Sequence, residues 1–169
     1  LSDRVPVEAE LRSRISSLKS LDRRIVDLNL VHDTLLLVKI ETSFDKRREP
    51  ATLAPEAHPP LAENPEPTVG MQIIHKLVAL PELSAIKLIA AVSDDVDIRD
   101  KDSYIWGVFT RFDAERDITF TEQKLMGISP IYKGIMGIDA TWKAGYPKPL
   151  RMTDEITKRV DERWESYWK

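Results

Sequence analysis

The sequence predicts an α/β fold, a three-layer sandwich around a small mixed sheet, with a C-terminal helix used in subunit contacts. Three observations carry this reading. Apolar residues recur at helical spacing in some segments and alternate or run continuously in others. The two kinds of segment interleave along the chain, in the order helix, hairpin, helix, strand, helix, strand, rather than falling into separate blocks. With 42% apolar and 31% charged residues over 169 positions, the composition is that of one globular domain.

The first element is a helix carrying Val7, Leu11, Ile15 and Leu18 at helical spacing, with Pro6 suited to its first position and Glu8 and Glu10 at its positive end. "RIVDLNLV" (24–31) and "LLLVKIET" (35–42) alternate as strands, and "HDT" (32–34) turns between them. Residues 1–45 thus hold a helix and a β-hairpin. From 46 to 68 the chain is a proline-rich acidic loop or linker with little to bury, read either as an insertion or as a partner-binding arm. Residues 69–169 complete the same domain. "VGMQIIHKLVAL" (69–80) is a helix ending before Pro81, and "AIKLIAAVS" (85–93) is a buried strand. "DKDSYIWGVFTRF" (100–112) is a helix capped by Asp100, Asp102 or Ser103 that buries Ile105, Val108, Phe109 and Phe112. "DITFT" (117–121) is a short strand. The glycine- and proline-punctuated "KGIMGIDATWKAGYPKP" (133–149) has neither a helical nor a strand period, yet carries Ile135, Met136, Ile138 and Trp142. A last helix begins at Thr153, with Ile156, Val160, Trp164 and Tyr167/Trp168 in one stripe, and docks either on its own core or on a second subunit.

Composition excludes several classes. Lys and Arg number 25 against 28 Asp and Glu, a net charge of −3, which gives no reason to expect nucleic acid or an anionic membrane as partner. There is no cysteine, so disulfides, thiolate metal sites and thiol nucleophiles are excluded, and the default location is cytoplasmic. The first residue is Leu rather than Met, as expected of a fragment, a processed chain or one lacking its first residues. "SDDVDIRDKD" (93–102) resembles a calcium loop only at Asp95 and Asp97; position 99 is Arg and Trp106 stands where the bidentate Glu belongs. The loop's carboxylates are instead expected to cap the next helix. His32, His58 and His75 stand in no metal-ligand spacing, and no nucleophile elbow, Walker lysine loop or dinucleotide fingerprint is present. The residues therefore offer no self-contained catalytic constellation.

Three blocks, in order, resemble a known family. "KLIAAVSDDVDIRDKDSYIWGVFTRFDAERDITF" (87–120) is similar to a strand, an acidic D-D-x-D loop and an x-x-W-A-x-x-T-R-x-x-P-x-R-D segment, here through Asp94, Asp95, Asp97, Trp106, Thr110, Arg111, Arg116 and Asp117. "MGIDATWK" (136–143) resembles K-M-G-I-D-A-T-x-K almost letter for letter, and the C-terminal helix bears a late Trp in the expected place. Together they resemble the C-terminal domain of the UbiD family of prenylated-flavin-dependent decarboxylases and carboxylases. The resemblance is weak over residues 6–45 and good over 69–168. It implies that the flavin, the divalent metal and the residues handling the carboxylate belong to a preceding domain, so this chain alone binds no cofactor. A larger flavin-bearing subunit, self-association and an aromatic acid reached through the complex are the implied partners. The family's C-terminal domain lends a wall to the substrate pocket, which by position falls on Leu125, Met126 and Gly127, with Met126 where many relatives carry Asp. A lysine that reaches the flavin phosphate in relatives aligns with Gly70 and Met71. Met136 and Ile138 are expected to be buried.

Overall fold

The structure is a computed structural model and describes residues 13–15, 17–41, 67–143 and 152–168. Five strands form one mixed sheet in the order β1-β2-β3-β5-β4. Strands β1 (Ile25–Val31) and β2 (Leu35–Ile40) make an antiparallel hairpin. Strand β3 (Leu88–Ser93) runs parallel to both β2 and β5 (Ser129–Ala140), and β4 (Ile118–Met126) closes the far edge antiparallel to β5. The first turn is of the kind hairpin twist favours: His32 and Asp33 both have positive φ, 48° and 56°, and the Thr34 amide donates to the Val31 carbonyl at 3.2 Å.

The layers follow from the alternation of side chains along each strand. Leu36, Val38, Ile40, Ile89 and Ile135 face one side, where helix α1 (Val69–Val78) sets down Ile73, Ile74 and Leu77, joined by Ile15 and Leu18 from the N-terminal helical turns. Leu37, Ala90, Val92 and Ile138 face the other, beneath Val108 of helix α2 (Lys101–Phe109) and Val96 and Ile98 of the loop before it. Because both faces are covered, the central strands read as unbroken apolar runs, "LLLV" and "LIAAV". Helix α1 starts where the Thr68 hydroxyl accepts the Met71 amide at 3.2 Å, and α2 where the Asp100 carboxylate accepts the Ser103 amide at 2.8 Å. Helix α3 (Asp154–Arg163) is capped by Thr153 and runs into a 3-10 turn, Trp164–Trp168. Val7, Leu11 and most of the 46–68 segment lie outside the described residues.

Four expectations are corrected. Of the stretch beginning at Lys133, residues 133–140 lie in β5, the longest strand described; residues 141–143 form no strand and 144–149 lie outside the described residues. Two of its glycines mislead because neither Gly134 nor Gly137 ends the strand. At Gly137 a Cβ would lie 2.4 Å from Ile74 Cγ2 and 2.9 Å from Thr119 Cγ2, so only glycine lets α1 lie this close to the sheet. Gly134 adopts φ 83° opposite the irregularity between Phe120 and Glu122, where the Thr121 hydroxyl accepts the Ile135 amide at 3.1 Å. Ile138 is buried as expected, whereas Met136 is only half-buried at the margin of the second cluster. Strand β4 likewise runs past Thr121 to Met126. On α2 the inward face belongs to Gly107 and Val108; Ile105 and Phe109 are 43% and 63% exposed, and Phe112 is half-buried.

A buried carboxylate ties the N-terminal turns to α1. Asp22 accepts from Arg24 Nε at 2.9 Å and Nη2 at 2.8 Å, and from Lys76 Nζ at 2.8 Å. The Arg24 hydrogen bonds, helped by Lys76, hold its carboxyl well below the usual carboxylate range. A carboxyl depressed in the folded state stabilises fully above its unfolded value of about 4 and loses that contribution as pH falls through the folded value. Stability measured by urea unfolding is therefore expected to drop as pH is lowered below about 4, and Asp22→Asn to flatten that dependence. Gly137→Ala is expected to cost about 1–3 kcal/mol by overpacking, seen as a lower urea midpoint at unchanged slope.

Candidate functional site

In an open α/β sheet the place to look is beyond the carboxyl ends of the parallel strands, where loops converge. Here those ends are Ile40 of β2, Ser93 of β3 and Ala140 of β5, and the polar groups gather at the last two. The loop after β3 brings Asp95; the chain leaving α2 brings Arg111, Asp113 and Asp117; the chain leaving β5 brings Thr141, Trp142 and Lys143; and the start of α1 brings Thr68 and Gly70. Of the motif residues, Asp95, Trp106, Arg111, Asp117, Asp139 and Lys143 thus meet in space, whereas Asp97 bonds within its loop and Thr110 bonds the Trp106 carbonyl of its own helix.

What they build is a mutually satisfied polar knot. Arg111 and Asp95 form a bidentate pair, Nη1 to Oδ1 at 2.7 Å and Nη2 to Oδ2 at 2.6 Å, with the Arg111 guanidinium 5.0 Å from the centroid of the Trp106 ring. Lys143 Nζ donates to the carbonyls of Asp139 at 2.7 Å, Thr141 at 3.2 Å and Arg111 at 3.2 Å. The same ammonium stands 3.3 Å from Asp117 Oδ2 and 3.8 Å from Asp139 Oδ1. Asp139, fully buried, accepts the Thr141 amide at 2.9 Å and hydroxyl at 2.6 Å, and its other oxygen takes the Thr68 hydroxyl. Asp117 accepts the Asp113 amide at 2.8 Å, and Ser93 Oγ accepts the Trp142 amide at 2.6 Å. Buried groups so engaged with one another hold a fold; they do not stand ready as acid, base or nucleophile.

The loop carboxylates divide their work differently from the expectation that they cap the next helix. Asp100 does so, Asp95 binds Arg111, and Asp97 accepts the Arg99 amide at 2.9 Å within the loop. His32 and His75 are exposed, and His58 lies outside the described residues. Among the described residues, no three His, Asp or Glu side chains are grouped to hold a metal.

Leu125, Met126 and Gly127 do not join the knot. They occupy the tip of the β4–β5 hairpin, where Met126 pairs with Ser129 and Gly127, at φ 64°, opens the two-residue turn. The knot lies at the end of β5 and the tip at its start, so at strand rise some 11 residue steps, roughly 36 Å, separate them. Leu125 and Met126 are 77% and 71% exposed, and neighbouring Ile128 is 99% exposed. One feature escapes a reading of the sequence: the exposure of the apolar outer face of α2.

Comparison with known proteins is decisive at the level of family. Residues 8–140 match the 3-octaprenyl-4-hydroxybenzoate carboxy-lyase C-terminal domain. The chain belongs to the UbiD family. It is 28% identical over 114 residues to an uncharacterised protein of Aeropyrum pernix, an alignment covering 60% of this chain and 23% of that protein. Among solved structures, the fold resembles UbiD-class HmfF from Pelotomaculum thermopropionicum in complex with FMN, at 17% identity and TM-score 0.55, covering 90% of this chain and 31% of that one. It also resembles the closed form of vanillic acid decarboxylase from Sedimentibacter hydroxybenzoicus, at 16% identity and TM-score 0.56, with coverages of 92% and 31%. A third is 3,4-dihydroxybenzoic acid decarboxylase from Enterobacter cloacae, at 16% identity and TM-score 0.51, with coverages of 93% and 32%. The chain therefore spans about a third or less of the length of each of these proteins.

The described residues of this UbiD-family chain do not fit a flavin phosphate at the start of α1. A helix N-terminus is a natural anion site, but here its anion is already in place. The Asp139 carboxylate lies against Gly70, where a Cβ would come 2.1 Å from Oδ1, and the Thr68 hydroxyl is taken up by the same carboxylate. A phosphate would meet a buried negative charge, and Lys76 is engaged by Asp22. Lys143→Met should leave Asp117 and Asp139 without their shared cation and cost about 3–5 kcal/mol of unfolding free energy, the range for breaking a buried ion pair from one side.

Proposed function

We propose that the chain is a small subunit or fragment of a UbiD-like aromatic-acid decarboxylase or carboxylase, contributing oligomer contacts and part of the active-site wall. On this reading residues 1–45 and 69–169 form one domain interrupted by the proline-rich 46–68 segment. A larger UbiD-like partner chain binds prenylated FMN and a divalent metal, and CO2 leaves or joins the aromatic acid there. The complex is cytoplasmic; no described helix is long and apolar enough to cross a membrane.

The observation that carries the reading is the β4–β5 ribbon. Beyond Thr121 and Gly134 its side chains are almost all exposed, and its tip is apolar. A two-stranded ribbon is marginal in water by itself, and an exposed apolar tip is most stable when inserted into another surface. Leu125, Met126 and Gly127 would form the wall that the ribbon presents to the partner's pocket. Met126 in place of the family's Asp makes that wall less polar.

A second reading is a non-catalytic structural or regulatory assembly protein that keeps only the family's assembly surface. Gly70, in place of the phosphate-binding lysine, and Met126 favour it. Reconstitution with a flavin-bearing partner separates the two. The first reading predicts that omitting the chain abolishes or sharply lowers decarboxylation or CO2 exchange. It also predicts that Leu125→Ser with Met126→Ser lowers kcat/KM at least roughly tenfold, a transition-state loss of about 1.4 kcal/mol, while the complex still forms. Activity indifferent to the chain would favour the assembly role.

A further inference from the structure

Strand β1 ends the sheet on one side, and a charge cluster stands at its outer edge. An outermost strand offers unpaired amides and carbonyls to any other extended chain, so what stands along its rim decides whether another strand can add there. The two sides of β1 are set by its packing. Ile25, Leu28 and Leu30 join the first apolar cluster, on the α1 side, and Val31 joins the second. Ile25 and Leu28 share a side because the register shifts between Ile25 and Asp27, leaving Val26 as an exposed bulge. Alternation then turns Asp27 and Asn29 to the α2 side. There Asn29 Nδ2 donates to the Ile98 carbonyl at 2.6 Å, and Asp27 accepts from Arg99, the next residue of the same loop.

Asp27 has a second partner that starts from the other side of the sheet. Lys19 follows Leu18, which is buried in the first cluster, yet its ammonium lies 2.8 Å from Asp27 Oδ1. Since β2 closes the inner flank of β1, Lys19 and Asp27 meet at the outer edge. Their bridge occupies the rim along which the backbone of an added strand, about 4.8 Å out, would run. The Arg99 hydrogen bond, helped by Lys19 and the Leu28 amide, holds the Asp27 carboxyl well below the usual carboxylate range, so the cluster stays charged. We infer that Lys19, Asp27 and Arg99, with the bulge at Val26, form a guard that keeps a strand of a second copy of this chain from adding to β1. Lys19 and Arg99 are 47% and 62% exposed, and ion pairs this open to water contribute little to stability. Their removal therefore leaves the fold standing while the edge opens, and the two effects can be separated.

Incubation of the full chain with thioflavin T tests it. Asp27→Val removes the carboxylate and puts a good strand former on the edge, so the lag before fluorescence growth should shorten severalfold. Far-UV circular dichroism of the fresh protein should be unchanged. Lys19→Gln, at an exposed position outside every described strand, should shorten the lag too, and it decides the matter if Asp27→Val fails to fold. Asp22→Asn controls for lost stability, because it breaks a buried ion cluster and leaves the guard in place. Its lag should stay longer than that of either guard variant. Lags in both guard variants like that of the unaltered chain, or an Asp22→Asn lag as short as theirs, overturn the inference.

Discussion

The ammonium of Lys143 is the point on which the polar end of this fold turns. It is the cation shared by Asp117 and Asp139, and it also binds three backbone carbonyls. Those acceptors come from different parts of the chain, so one side chain fixes the exit of β5 against the segment joining α2 to β4. Asp139 carries the linkage onward to Thr68 at the start of α1, on the far side of the sheet. Carboxylates this deeply buried are tolerated only when paired and hydrogen-bonded, as both oxygens of Asp139 and Oδ2 of Asp117 are. Gly70 is a consequence: the carboxylate occupies the space in which any side chain at that position would begin.

The two ends of β5 therefore differ in chemical character. At the carboxyl end, groups that could do chemistry are used up in holding one another. At the amino end, the ribbon carries apolar side chains that nothing among the described residues covers. A polypeptide organised this way is suited to presenting a surface. Among the described residues, the outer faces of α2 and the C-terminal helix are apolar and exposed in the same way.

Much of this is legible in the sequence, and the failures have physical causes. The hairpin, α1 and β3 follow from periodicity because each packs a continuous face on the sheet. Strand β5 is hidden because Gly134 and Gly137 look like turn residues when read alone; that Gly137 is required by the approach of Ile74 is a tertiary fact. The expected burial of Ile105 and Phe109 fails for a related reason. Their spacing marks an apolar face correctly, but spacing cannot say whether the cover comes from the same chain. Family resemblance locates Asp95, Arg111, Asp117, Asp139 and Lys143 as a set, yet only the geometry shows that they serve each other.

The central claim is that these family-matching residues form a scaffold and that flavin chemistry lies with a partner. Titrating FMN into the isolated chain, followed by flavin fluorescence, tests it most directly. The account predicts no saturable quenching, since the start of α1 already holds Asp139. Saturable binding that is lost on substituting residues at the start of α1 would contradict it.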